Sequence, residues 1–510
     1  MAAYSQLEEK FRTLTTLEDA AGMLHWDAAT MMPPGSAEDR HEQLAVLATI
    51  RHDMLASSET GELLAAARET NALNSWQQAN LREMGRRYSH ATAVETTLVT
   101  ALSKASNACE TRWRRARANN DFDALKPLLA EVLSLSREAA QAKAERLSCT
   151  PYDALMDQFT PGLRTDVVDG LFDRLGRELP GLLSEILENQ ASQPEAVTPA
   201  GPFPLDQQRA LGARLMTAVG FDFEIGRLDE SLHPFSGGTP NDLRITTRYE
   251  ANDFMTGLMG VLHETGHALY EKNLPSNWRR QPVGAARGMD IHESQSLLIE
   301  MQACRSLEFL TFAGPLMEEA FGRAGPEWAP DNLYRVYTKV RPGLIRVDAD
   351  EVTYPLHVIL RYRLETALLS DDLPLDDLPA AWNDGMAALL NQTPPDDRDG
   401  CLQDIHWFDG AFGYFPSYTF GAITAAQLFR AATKTDPAIL PEIQTGNFKP
   451  LYAWLGNHIH GKGSLLETPD LIRAATGEEL NADIFLEHLH DRYLPPLLKP
   501  SPKIPTQNPH

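Results

Sequence analysis

Apolar residues along this chain recur at the interval of a helix far more often than at the interval of a strand, which confines it to a mainly helical fold. Leu125, Leu128, Leu129, Val132 and Leu133 follow the spacing i, i+3, i+4, i+7, i+8, which draws one buried stripe along a helix. A similar long helix is expected from about Trp76 to Arg117, with Arg82, Arg86, Arg87, Arg112, Arg114 and Arg115 as solvated charge rather than a binding site. The Pro- and Ala-rich stretch from Gln190 to Leu205 reads as a loop. It divides an N-terminal helical portion, about 1–190, from a second portion, about 205–495, and the two are expected to wall one groove within a single unit spanning 1–510. The Pro-rich tail, 496–510, is expected to fray.

One segment reads as strand. In Leu243 to Tyr249, LRITTRY, period-two alternation puts Arg244, Thr246 and Arg248 on one face and turns Leu243, Ile245, Thr247 and Tyr249 towards the core. Its position just before the most chemically loaded helix suggests an edge strand that receives an extended peptide by strand addition.

That helix contains LMGVLHETGHALY, Leu258 to Tyr270. His263 and His267 stand four apart and therefore share a helix face, where two imidazoles can bind one Zn2+. Glu264 lies beside the first histidine, placed to act as general base towards a water activated by the metal. A catalytic zinc needs a third protein ligand and one open position. The HExxHxxGxxH pattern is excluded, because the residue ten after His263 is Asn273. Glu293 in DIHESQSLL, 293 − 267 = 26 residues past the second histidine, is the candidate third ligand, carried on a following helix beyond a loop from Leu274 to Gly288. His292 is a rival, but its neighbouring position points it elsewhere. A structural zinc site would close all four positions with Cys or His, and no such set is present near these residues.

Composition narrows the partners. The chain carries 46 Lys and Arg against 70 Asp and Glu, a net charge of −24, which argues against nucleic acid or an anionic membrane. No apolar run has transmembrane length, and the N-terminal MAAYSQLEEKFRTLTTLEDA carries charges and lacks the apolar centre of a signal peptide, so a cytoplasmic protein is expected. Cys109, Cys149, Cys304 and Cys401 are far apart and form no CxxC pair, which fits reduced thiols. The pairs His458/His460 and His488/His490 lack a carboxylate in ligand spacing and read as surface or core histidines.

HETGH followed at this distance by HESQS resembles the carboxypeptidase Taq family of zinc-dependent metallocarboxypeptidases. Four further stretches fit that family in the expected order: His233-Pro234-Phe235; Asp242-Leu243-Arg244-Ile245-Thr246 (DxRxT); Ile345-Arg346-Val347-Asp348-Ala349-Asp350 (IRxxAD); and Gly400 to Trp407, GCLQDIHW (GxxQDxHW). The opening HWDAATMMPPGSAEDR, His25 to Arg40, is also similar, so the resemblance covers nearly the whole chain. It implies a large helical gluzincin-type fold, like that of neurolysin and angiotensin-converting enzyme, with a deep groove and a small sheet beside the metal helix. It also implies a homodimer, and release of C-terminal residues from peptides with broad specificity.

On this reading Zn2+, or Co2+ in its place, is held by His263, His267 and Glu293, with Glu264 as general base. The tetrahedral oxyanion needs a second donor, for which His233, His406, Tyr414 and Tyr418 are candidates, Tyr418 preferred. A peptide with a free C-terminus needs a planar guanidinium on its carboxylate, and Arg346 and Arg244 are the candidates. Asp350, four residues after Arg346, is expected to pair with it near a helix start, and Asp404 with His406 to help close the end of the groove. The same zinc and base would equally serve an endo-oligopeptidase or a dipeptidyl carboxypeptidase, and a non-catalytic helical scaffold is the alternative from another class.

Overall fold

The structure is a computed structural model that describes residues 1–231 and 234–494. His233 and the Pro-rich tail therefore lie outside the described residues. The fold is mainly α-helical with one small sheet, as the periodicity requires. Among the described residues no helix is long and apolar enough to cross a membrane.

Two large cores hold the molecule together. The first joins the helices Phe122–Leu147 and Thr165–Ser192 to Tyr354–Leu369. Leu125, Leu129, Val132 and Leu133 are buried in it as the stripe predicts, with Leu128 packed at its margin. The second surrounds the motif helix, Phe254–Lys272, through Phe254, Leu258, Met259, Leu262 and Leu269. Helix Pro416–Thr435 belongs to both: Phe420, Ile423 and Ala426 enter the first core, and Ala425, Leu428 and Ala432 the second. Burying two faces of one helix fixes its rotation, and this helix lies directly against the one that carries Glu293.

The long helix expected from Trp76 to Arg117 is two, Ser75–Ala93 and Thr96–Asn119, parted where Val94 and Glu95 are extended. Thr92, Val94, Thr96 and Thr97 explain the break, since β-branched side chains stiffen χ1 and weaken a helix. The arginines there also divide. Arg112, Arg114 and Arg115 are exposed as expected, whereas Arg82 and Arg86 pair with Glu83, and Arg87 with Glu18.

The sheet has three strands, β1 (Gly226–Glu230), β2 (Ser236–Thr239) and β3 (Asp242–Thr247), in the order β1-β3-β2. β3 is the strand read from the sequence, but it is central, parallel to β1 and antiparallel to β2. Both its edges are used, so it cannot accept a peptide strand. Two flanking strands, GRLDE with its charges and SGGT with its glycines, carry no strand pattern of their own, so the sequence shows β3 without its neighbours. Leu243, Ile245 and Thr247 are buried as expected, and Thr246 is buried as well, against Phe235.

Candidate functional site

Asp253 caps the motif helix, its carboxylate accepting from the backbone N–H of Met255 and Thr256 at 2.9 and 3.1 Å. The following helix, Met289–Leu297, presents Glu293 to the same point. The two helices meet closely because Gly266 has no Cβ: one added there would lie 2.5 Å from Gln295 O. From the other side Gly421 performs the same service, its absent Cβ falling 2.8 Å from the Cβ of Glu293.

His263, His267 and Glu293 each bring one candidate ligand atom to a common point, all within 4.8 Å of one another. Glu293 Oε2 stands 3.4 Å from His267 Nε2 and 3.9 Å from His263 Nε2. Ligands about 2.0–2.1 Å from a tetrahedral ion lie about 3.3 Å apart, so this donor set fits a single Zn2+-sized ion.

The far side of each imidazole is held. His263 Nδ1 donates to Glu300 Oε2 at 2.9 Å, and Glu300 is fixed by Arg305 at 2.6 Å. His292 Nε2 donates to Glu271 Oε1 at 2.9 Å. That leaves His292 Nδ1 an acceptor, so the 2.6 Å contact with His267 Nδ1 is a donation from His267. His267 therefore turns an Nε2 lone pair towards Glu293, and His263, whose Nδ1–H is spent on Glu300, does the same when neutral. His292 is thus an orienting partner and not a rival ligand. Glu271 and Glu300 escaped the sequence reading, although a signal existed: Glu271 follows His267 by four residues and Glu300 follows Glu293 by seven, both helix-face spacings. Glu300 also lies in a π-helical turn, Leu298–Ala303, which no spacing announces.

Electrostatics in the chain alone favour cation uptake. Burial pulls His263 down, but Glu293, Glu300 and Glu264 outweigh it and hold it up at about 10. Burial takes His267 down to about 4, while Glu293, which burial would raise, is held at about 2 chiefly by His263 and His267. Glu264 is buried and raised by that burial, opposed by His263 and accompanied by Glu293, and Ser236 of β2 hydrogen-bonds to it.

These residues open into a cavity of about 1180 Å³, lined by residues between Pro234 and Ala422. Arg346, Tyr354, Tyr414 and Tyr418 line it too. Arg346 pairs not with Asp350 but with Asp404, through Nε at 3.0 Å and Nη2 at 2.6 Å. Its Nη1 donates to the Tyr354 hydroxyl at 2.8 Å, and its guanidinium lies over the Tyr418 ring at 4.9 Å. Asp350 instead accepts from the backbone N–H of Arg341, Val352 and Thr353, because residues 349–353 form a turn ahead of the helix rather than its first turn. Arg361, fully buried, shares Asp404 with Arg346, a partner the sequence did not reveal. His406 does not line the cavity; its Nε2 lies 3.2 Å from the Tyr418 hydroxyl and its Nδ1 4.0 Å from Asp404, behind the wall. Arg244 is not brought to the cavity either: it is spent on Asp242, at 3.0 and 2.9 Å, and lies over Trp26. Of the remaining histidines, His460 is buried against Gln295 and His488 pairs with Glu351 at 2.9 Å, a carboxylate distant in sequence. The four cysteines are free thiols.

The family model for the carboxypeptidase Taq (M32) metallopeptidases matches residues 6–493. Thermostable carboxypeptidase 1 of Thermus thermophilus is 37% identical over 507 residues, covering 96% of this chain and 98% of that protein. The structure of Trypanosoma cruzi metallocarboxypeptidase 1 superposes with a TM-score of 0.95 at 38% identity, over 97% of this chain and 99% of that one. An M32 carboxypeptidase of Deinococcus radiodurans does so with a TM-score of 0.91 at 32% identity, over 97% and 99%.

Proposed function

The chain belongs to the carboxypeptidase Taq (M32) family and is a metallocarboxypeptidase, and from that premise we propose that it releases single C-terminal amino acids from peptides of varied sequence, using Zn2+ held by His263, His267 and Glu293. The observation that carries the reading is the convergence of two Nε2 atoms and one carboxylate oxygen on a single point, with Glu264 beside them.

A zinc ion bound there supplies Lewis acidity, polarising the scissile carbonyl and drawing the pKa of a water towards about 7. Glu264 takes the proton from the attacking water and passes it to the leaving amine. Its burial favours this, because a carboxyl whose pKa is raised is better matched to working near neutrality. The Tyr418 hydroxyl, at the cavity wall, donates to the developing oxyanion, with Tyr414 the other candidate in reach. Arg346, oriented by Asp404 and Tyr354, receives the terminal carboxylate of the substrate. Arg244, which does not line the cavity, is left out of this assignment.

The same proposal takes the enzyme as a cytoplasmic homodimer without nucleic acid or membrane partners. It also takes the portions about 1–190 and 205–495 as walls of one groove that continues past the cavity, whose own lining comes from the second portion.

The test uses blocked peptides ending in a free carboxylate or in an amide, products followed by mass, with Glu264→Gln as control. Stepwise loss of single residues from the free acids alone, absent in the variant, supports the reading. Internal cleavage, release of dipeptides or equal cleavage of amides would overturn it. Zinc against cobalt is decided by metal analysis of the protein as purified.

A further inference from the structure

Away from the catalytic cavity lies a second one of about 830 Å³, and its charge runs against that of the chain. Five arginines face it: Arg68, Arg82, Arg86, Arg164 and Arg287. Among the described residues three carboxylates do, Glu83, Asp157 and Glu467, which leaves 5 − 3 = 2 positive charges in a chain whose net charge is −24. The carboxylates are fully used. Glu83 takes Arg82, Arg86 and Arg287 at 3.1, 3.0 and 2.7 Å. Glu467 takes Arg82 at 2.8 Å and also Arg287. Asp157 takes His90 at 2.7 Å, with Arg86 at 3.7 Å.

Arg68 and Arg164 have no carboxylate at ion-pair distance among the described residues. Arg164 Nη1 is a buried donor without an acceptor among the described residues, and so is Nε of Arg287, a residue only 2% exposed. A buried donor left unpaired is unfavourable, and one on a charged group more so. Surplus positive charge and two arginines without a carboxylate partner at one cavity are what a compact anion of matching charge would satisfy.

We propose that this cavity binds a small multivalent oxyanion of the phosphate type, inorganic phosphate or a phosphate monoester, through Arg68 and Arg164, with the buried charge of Arg287 behind them. The site has a mechanical consequence. Arg287 lies in the segment between the motif helix and the Glu293 helix, where its backbone N–H donates to the Tyr270 hydroxyl at 3.2 Å and Met289 N–H donates to Phe159 O at 2.8 Å. An anion there clamps that segment to the N-terminal helices and stabilises the fold by mass action.

The test is thermal unfolding of the full-length, metal-loaded protein in a titration of inorganic phosphate and, separately, glycerol phosphate, with ionic strength held constant by sodium chloride. The midpoint is expected to rise by several degrees between 0.1 and 10 mM phosphate. Arg164→Gln should abolish most of that rise and Arg346→Gln should keep it. Should Arg164→Gln not fold, Arg68→Gln carries the same expectation from an exposed position. A rise with inorganic phosphate alone, or with both anions, supports the site and tells which source fits. No rise over chloride, or a rise that survives Arg164→Gln and Arg68→Gln but vanishes in Arg346→Gln, overturns it.

Discussion

His267 and His292 meet Nδ1 to Nδ1 at 2.6 Å, and the direction of that hydrogen bond is fixed from outside the pair by Glu271. Because a carboxylate only accepts, His292 must spend its N–H on Glu271 and offer a lone pair to His267. The consequence is an Nε2 of His267 preset for a cation. His292→Ala should therefore weaken metal affinity by about 10- to 100-fold while leaving all three candidate ligands in place, the usual cost of losing an orienting partner. Competition with a chromophoric chelator measures it, and excess zinc should restore activity. Unchanged affinity would show that His267 needs no such help.

Tyr418→Phe removes a hydroxyl from the cavity wall and leaves the ring that lies under Arg346. Losing an oxyanion donor costs about 10²- to 10³-fold in kcat with KM little changed. Steady-state kinetics on a free-acid peptide test this. If Tyr414→Phe shows the loss and Tyr418→Phe does not, the assignment passes to Tyr414.

Arg346→Lys keeps the charge but loses the fork that engages Asp404 and Tyr354. A charged hydrogen bond is worth about 1.5–3 kcal/mol, so kcat/KM for free-acid peptides should fall by roughly 10- to 100-fold. Any residual rate on amidated peptides should not move. A parallel loss on both substrates would mean that Arg346 supports the wall rather than the substrate carboxylate.

What could be read from the sequence follows from how local the signal was. His263, Glu264 and His267 sit within one helical turn, and Glu293 falls on the next helix, so spacing alone reaches them. The stripe from Leu125 to Leu133 is local in the same way. Asp404 was tied to His406, its neighbour in sequence, whereas its strongest partners are Arg346 and Arg361, 58 and 43 residues away. Likewise Glu351 meets His488 and Arg492 only because helix Ala482–Tyr493 returns to it. Arg244 is the opposite case: its partner, Asp242, stands two residues away inside the same motif, and the pair lies outside the residues that line the cavity. β3 looks like an edge strand in the sequence because its flanking strands, rich in Gly and charge, do not announce themselves.

Glu351 gives the chain an acid-sensitive joint. Burial would raise its carboxyl, but Arg492 and His488 outweigh that and hold it well below the ordinary carboxylate range. A depressed folded-state pKa contributes stability that is present above the unfolded value, about 4.3, and lost as pH falls below it. The unfolding midpoint should thus drop steeply below about pH 4.5, and Glu351→Gln should flatten that limb. The variant should also lose about 3–5 kcal/mol at neutral pH, because Arg492, its side chain 8% exposed, is left without its carboxylate. Equal slopes for the two proteins would place the acid sensitivity elsewhere.

The sharpest test of how the fold makes the site changes no polar atom. Gly266 lies between the two histidines of the motif, and a Cβ there would come within 2.5 Å of Gln295 O and 2.7 Å of the Cα of Ser296, both backbone atoms of the Glu293 helix. Backbone cannot swing aside as a side chain can, so Gly266→Ala must push that helix away from the motif helix. Glu293 Oε2 then retreats from His267 Nε2, from which it stands 3.4 Å. Gly421→Ala presses from the opposite side, but on the Cβ and Cγ of Glu293, each 2.8 Å from the added carbon. Overpacking of this kind costs about 1–3 kcal/mol of stability for either variant. Metal affinity should separate them: Gly266→Ala widens the ligand triangle and should lose at least about tenfold, as a displaced ligand does. Gly421→Ala can only drive Glu293 towards the histidines and should lose less. Isothermal titration with zinc on both variants, each checked for folding by circular dichroism, measures the difference. If the two bind equally, the glycine contacts serve packing alone and the spacing of the helices does not set the metal site.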